Sequence, residues 1–203
     1  MSEISEPLSF IFNLCISQGY FPIELKSGCI TPTYKKGEHS NIENYRPVCS
    51  LSQFSKIFEK VVFSQMYEYL TENNILFKSQ HGFRSNHSTE TAAIEFIDHI
   101  KSEISLKHTP ISIFLDLSRA FDTVDHNILL KKLAHYGFTG SELKWFESYL
   151  SNRSQYVIWD GAKSDTMSCK KGVPQGSILG PLLFLIYVND LNFASKLINF
   201  FLI

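Results

Sequence analysis

Asp116 ends a run, Ile111-Ser112-Ile113-Phe114-Leu115-Asp116, whose β-branched and aromatic residues read as a buried strand. A carboxylate at the end of an apolar strand is costly to bury unless it is paired or holds a cation. A rigid strand end is also where a scaffold can fix a ligand to the tolerance catalysis requires. Asp116 therefore has two readings. It is a turn or helix-capping residue, or it is one of the carboxylates that hold two divalent ions about 3.5–4 Å apart for phosphoryl transfer.

A second constellation is Gly172-Val173-Pro174-Gln175-Gly176-Ser177-Ile178-Leu179-Gly180-Pro181. Two glycines flanking Val-Pro-Gln allow close approach of the backbone to a ligand, and Pro174 limits the loop's freedom. Gln175 offers both a donor and an acceptor to a base or sugar edge. An ordinary strand-to-helix turn explains any one of these residues but not their concentration. A third is Ile30-Thr31-Pro32-Thr33-Tyr34-Lys35-Lys36-Gly37 followed by Asn44-Tyr45-Arg46-Pro47. Lysines at a turn and an arginine beyond it could clamp a triphosphate, the arginine through its planar fork. A solvated turn with a surface arginine is the competing reading.

Helices and strands must hold these groups. Leu8, Ile11, Phe12 and Cys15 fall at helical spacing, and Gly19 and Pro22 close that segment. Residues 27–34 read as a strand running into the turn Lys35-Lys36-Gly37-Glu38. The stripe Phe54, Ile57, Phe58, Val61, Val62, Met66, Tyr69 and Leu70 predicts a helix ending near Asn73-Asn74. A second stripe of Ala92, Ala93, Phe96, Ile97, Ile100 and Ile104 follows the N-cap candidate Ser88. Helices are expected over 127–136, 142–150 and 177–190, and two strands, 156–160 and 165–170, turn at Gly161-Ala162. Interspersed helices and strands suggest a helix-backed sheet of α/β or α+β type.

The 203 residues are 44% hydrophobic and 19% charged, a globular profile with enough apolar mass for a sizeable core. Net charge is −1, so bulk electrostatics do not argue for a nucleic-acid partner. Cys15, Cys29, Cys49 and Cys169 form no C-x-x-C pair, which points to free thiols in a reducing compartment and to no disulfide-linked partner. The N-terminus lacks the pattern of a signal peptide. The apolar stretch 178–188 is interrupted by Gly180 and Pro181 and falls short of the roughly 20 residues of a membrane span. An intracellular protein, cytoplasmic or nuclear, without a membrane partner, is the expectation.

Taken together, these blocks resemble the reverse transcriptases of LINE-type (non-LTR) retrotransposons, from about Gly19 onward. The resemblance also rests on Ser55-Lys56-Ile57-Phe58-Glu59-Lys60, Gln80-His81-Gly82-Phe83-Arg84 with Ser88-Thr89, and Tyr187-Val188-Asn189-Asp190-Leu191. It implies a right-hand polymerase fold over residues 21–203, with fingers and an incomplete palm sheet, no thumb, and a helical lead-in over 1–20. By resemblance, Asp116 is the first catalytic, Mg²⁺-binding aspartate, with the Leu117 carbonyl beside it. Phe121 is the bulky residue under the incoming sugar that excludes a 2′-OH. Arg46, with Lys35 or Lys36, grips the triphosphate. Gln175 and Gly176 line the nucleotide pocket, and Arg84 contacts the template. Asp122 and Asp125 are structural or capping, and His126 is structural. RNA template, DNA primer and deoxynucleoside triphosphates are the implied partners.

The same resemblance calls for a later hairpin with paired aspartates, and Asp-Asp occurs nowhere in the sequence. The strand leading to that hairpin is expected to begin in Leu197-Ile198-Asn199-Phe200-Phe201-Leu202-Ile203. One carboxylate cannot organise two metals, so this polypeptide alone is expected to lack polymerase activity. A non-catalytic nucleic-acid-binding remnant is the alternative, which the near-neutral charge disfavours. Incomplete cover of Ile113, Leu115 and the 182–188 helix is a further expectation.

Overall fold

The computed structural model describes residues 2–195 and 198–202. Helix α1 (Ser2–Gln18) is closed by Gly19, where the Tyr20 N–H returns to the Cys15 carbonyl at 2.8 Å and the Gly19 N–H to Ile16 at 3.0 Å. Strand β1 (Ser27–Tyr34) and strand β2 (Tyr45–Ser50) form an antiparallel hairpin, and helix α2 (Gln53–Glu72) follows. Helix α3 (Thr89–Ser105) precedes α4 (His126–His135) and α5 (Gly140–Leu150). Strands β3 (Arg153–Trp159), β4 (Ala162–Lys163) and β5 (Met167–Cys169) lead to α6 (Leu179–Val188). The sheet runs β2-β1-β3-β4, with β5 also on β3; β1 and β3 are parallel and the other pairings antiparallel.

Phe58 on α2 sits at the centre of the core. Its ring stacks on Phe12 of α1 at 4.3 Å and meets Trp145 of α5 edge-on at 5.3 Å. Phe21 packs against Phe58, Trp145 and Tyr149, each pairing adding about 0.5–1.5 kcal/mol beyond its buried area. Leu129 and Leu133 of α4 and five leucine and isoleucine side chains of α6 complete this cluster. The 182–188 helix, expected to be incompletely covered, has Leu182, Leu183, Leu185 and Ile186 fully buried, because α2 and α4 enclose it.

Four expectations fail in whole or in part. Residues 111–116 form no strand, and Ile111, Ile113, Phe114 and Leu115 stand exposed. No strand among the described residues pairs with this segment, and a backbone without a ladder partner keeps its N–H and C=O groups in water. The Phe114 ring meets Phe96 of α3 edge-on at 5.6 Å. The α3 stripe is likewise poorly covered: only Ala92 is buried, and Ile97 and Ile104 are exposed. On α2 the buried face is rotated toward Ser55 and Glu59, leaving Phe54 and Ile57 exposed. Near the C-terminus, where a strand was expected, Leu202 makes an isolated parallel bridge to Gln80, and Leu197 and Ile203 lie outside the described residues.

The start of α3 is strongly specified. The Ser88 side chain accepts from the Thr91 N–H, and the Thr91 hydroxyl accepts from the Ser88 N–H, a reciprocal capping box. Ser88→Ala is expected to lower stability by about 1 kcal/mol. Urea denaturation monitored by circular dichroism checks it; an unchanged midpoint would show that the cap is not needed.

Candidate nucleotide site at the 172–178 loop

The loop between β5 and α6 is held by backbone contacts from two directions. On one side the Gly172 N–H donates to the Val124 carbonyl at 2.8 Å and the Val173 N–H to Phe121 at 2.9 Å. His126 Nε2 donates to the Gly172 carbonyl at 2.8 Å, which gives that histidine a structural task. On the other side the Cys49 N–H of β2 donates to the Gln175 carbonyl at 2.7 Å. Glycine is required at both ends. Gly172 has φ +83° and a Cβ there would lie 2.9 Å from the Asp122 Cα; Gly176 has φ +119° and its Cβ would meet the Cys49 carbonyl oxygen. The loop thus fastens the segment after Asp116 to the strand that carries Arg46.

Glu59 supports this loop from below. Its side chain is fully buried. Oε2 accepts from the Ile178 N–H at 2.7 Å and the Leu179 N–H at 3.3 Å, the first N–H groups of α6, which have no intrahelical acceptor. Oε1 accepts from the Tyr149 hydroxyl at 3.1 Å and the Ser55 hydroxyl at 3.4 Å. Burial lifts the Glu59 carboxyl above the ordinary range, opposed by the Ile178 and Leu179 N–H groups and the Arg153 charge. Sequence reasoning placed Glu59 only inside a motif. The signal that could have singled it out is its place on one helical face with Ser55, Phe58, Val62 and Met66.

The predicted residues fall into two groups. Phe121, Asp122, Gln175 and Gly176 come together: Gln175 Nε2 donates to Asp122 Oδ1 at 3.1 Å, and the half-buried Phe121 ring lies between Phe83 at 5.8 Å and Phe184 of α6 at 5.1 Å. Asp125 caps α4, accepting from the Asn127 and Ile128 N–H groups. Asp116 and Leu117 are exposed on the unpaired segment. Lys35, Lys36 and Arg46 are exposed near the turn end of the β1–β2 hairpin. Arg46 points away from the cavity beneath the loop, which its neighbours Pro47 and Cys49 line, because strand residues alternate. Arg84 is engaged within its own segment, Nη1 donating to the Phe77 carbonyl at 2.8 Å and to Lys78 and Gln80 at 3.4 Å. His81 braces the same segment through Glu95 at 2.7 Å and Thr91 at 2.9 Å.

The chain belongs to the reverse transcriptase (RNA-dependent DNA polymerase) family, whose profile matches residues 34–200. Its relatives place it on the non-LTR, LINE-type branch. It is 33% identical over 185 residues to the probable RNA-directed DNA polymerase from transposon BS of Drosophila melanogaster, covering 91% of this chain and 20% of that protein. It is 32% identical, with the same coverage, to the RNA-directed DNA polymerase from mobile element jockey of the same species. The chain therefore spans about a fifth of the length of these relatives. Among solved structures, apo telomerase from Candida tropicalis, truncated from its C-terminal domain, matches 95% of this chain and 45% of that one, with TM-score 0.50 and 19% identity. That likeness shows the fold, fingers and palm of a polymerase. No helix among the described residues is long and apolar enough to cross a membrane.

Proposed function

We propose that this chain forms the fingers and first part of the palm of an RNA-directed DNA polymerase that copies the RNA of a non-LTR retrotransposon into DNA. The observation that carries this reading is the 172–176 loop, fastened to Phe121 and Asp122 on one side and to Cys49 on the other. That junction sets a donor-acceptor side chain, Gln175, beside an aromatic ring that can shape a sugar pocket. In this reading Phe121 lies under the sugar, Gln175 and Gly176 border the nucleotide, and Arg46 with Lys35 or Lys36 holds its triphosphate. Arg84 serves the template by fixing the shape of the segment that presents Phe83. RNA template, DNA primer and deoxynucleoside triphosphates are the partners, and the cytoplasm or nucleus is the compartment.

Asp116, with the Leu117 carbonyl, supplies one part of a Mg²⁺ site. The described residues do not complete it: no three His, Cys, Asp or Glu side chains among them could hold a metal ion together. Mg²⁺ takes six ligands at about 2.0–2.1 Å, and several must come from carboxylates or substrate. The test is a chimera in which this chain replaces the matching segment of the jockey polymerase. RNA-templated primer extension is expected from the chimera and not from its Asp116→Ala form, while the 203-residue chain alone yields no product. Undiminished extension by the Asp116→Ala chimera would remove that residue from the metal site, and a chimera that folds but never extends would overturn the assignment.

A further inference from the structure

A cavity of about 390 Å³ opens between the inner face of the β1–β2 hairpin, β3, β5 and the 172–175 loop. Its size is that of a small-molecule site. Lys26, Arg153 and Lys171 line it, and the only carboxylate in the lining is Asp122, which already accepts from Gln175. Lys26 and Arg153 are each 4% exposed. Arg153 Nη1 donates to the Tyr149 carbonyl at 3.1 Å, but Nη2 is buried with no hydrogen-bond partner. Lys26 Nζ has only a long contact with Ser148 Oγ, at 3.5 Å. Burial, and then the Arg153 charge, push the Lys26 ammonium below its ordinary range. The nearby Glu59 offsets the Arg153 charge only in part, because burial favours its neutral carboxyl and it does not line the cavity. Two buried cations that repel each other and make no direct ion pair among the described residues are costly unless an anion sits with them.

We propose that this cavity binds a small phosphate-bearing anion, held by the Arg153 guanidinium, Lys26 and Lys171. Three cations against one occupied carboxylate favour a multiply charged group over a single carboxylate, and a guanidinium fork matches phosphate oxygens. The site is separate from the triphosphate grip assigned to Arg46, which lies on the opposite face of the hairpin, and it does not depend on the polymerase reading. Inorganic phosphate, pyrophosphate and nucleoside triphosphates share the required chemistry.

Thermal melting of the full chain tests it, with sodium phosphate, pyrophosphate or dTTP compared with sodium chloride at equal ionic strength. A saturable rise in Tm specific to the phosphate ligands is expected. Lys26→Met and the exposed-site variant Lys171→Ala should weaken binding about tenfold, one lost charge contact costing roughly a factor of ten. Lys101→Ala should leave it unchanged. If dTTP binds more tightly than pyrophosphate, a nucleotide is the natural source; equal binding points to the pyrophosphate group alone. A phosphate effect no larger than that of chloride overturns the proposal. So does wild-type binding by both Lys26→Met and Lys171→Ala, or a shift produced by single-stranded DNA but by none of the small anions.

Discussion

Glu59→Ala is expected to destabilise the chain by about 3–5 kcal/mol, the range for removing a buried, fully engaged charge. The substitution leaves the Ile178 and Leu179 N–H groups and the Tyr149 and Ser55 hydroxyls without their acceptor. Unmade buried hydrogen bonds cost about 1–3 kcal/mol each, partly recovered if water enters. Burial also holds the Tyr149 hydroxyl far above its ordinary pKa, so it cannot ionise to replace the lost charge. Glu59→Gln keeps one acceptor oxygen and should cost less than half as much. The pH dependence follows from the raised folded-state pKa. Because the native state holds the proton more tightly, the stability linked to Glu59 is whole below the ordinary glutamate range. It declines as pH rises from there to the raised native value. Urea midpoints measured across pH check both points. A Glu59→Ala midpoint equal to wild type, or a Glu59→Gln slope identical to it, would count against the central place given to this carboxylate.

Gly176→Ala should be nearly as damaging, for a different reason. A methyl group at this position collides with the Cys49 carbonyl oxygen, and the backbone φ of +119° is one that side-chain-bearing residues rarely adopt. Backbone strain costs about 1–3 kcal/mol, and overpacking adds a similar amount. Neither contact can relax through a flexible side chain, because both partners are main chain. The expected result is release of the loop from β2, with loss of the 2.7 Å bond from the Cys49 N–H to the Gln175 carbonyl. Amide hydrogen exchange at Cys49 reads this directly. Protection there in the variant equal to that of the wild type would show that the loop tolerates a side chain. Gly161→Ala is the control, since nothing lies within 4 Å of a Cβ there.

Local signals in the sequence were legible and distant ones were not. The bounds of β1 and the Ser88 start of α3 could be read because turn residues and a capping serine mark them within a few positions. The same holds for α2 and for the loop before α6. The 111–116 run has the composition of a strand, but a strand exists only with a partner, and no described strand supplies one. β2 carries no clear strand signature in the sequence, because Pro47 removes a backbone donor from its middle. In the sheet Pro47 lies opposite Pro32, beyond the four residues of β1 that pair with β3. A missing donor there breaks no bond to β3. Among the site residues, the glycines and Gln175 announce themselves by type, and the structure gathers them with Phe121 and Asp122 as the motif spacing suggested. Lys26, Glu59 and Arg153 acquire their importance from burial and mutual approach between distant parts of the chain, which periodicity cannot convey.

The parallel pairing of β1 with β3 also imposes an order on synthesis. Ser27 finds its partner only when Ser154 has been made. At about 5–20 residues per second, the nascent β1–β2 hairpin leaves the ribosome with one edge open for on the order of ten seconds. During that interval the aromatic core around Phe58 also lacks Trp145 and Tyr149. The sheet is therefore completed only once β3 has been made, and a pause after residue 50 would lengthen the exposure of an open edge while one after residue 157 would not.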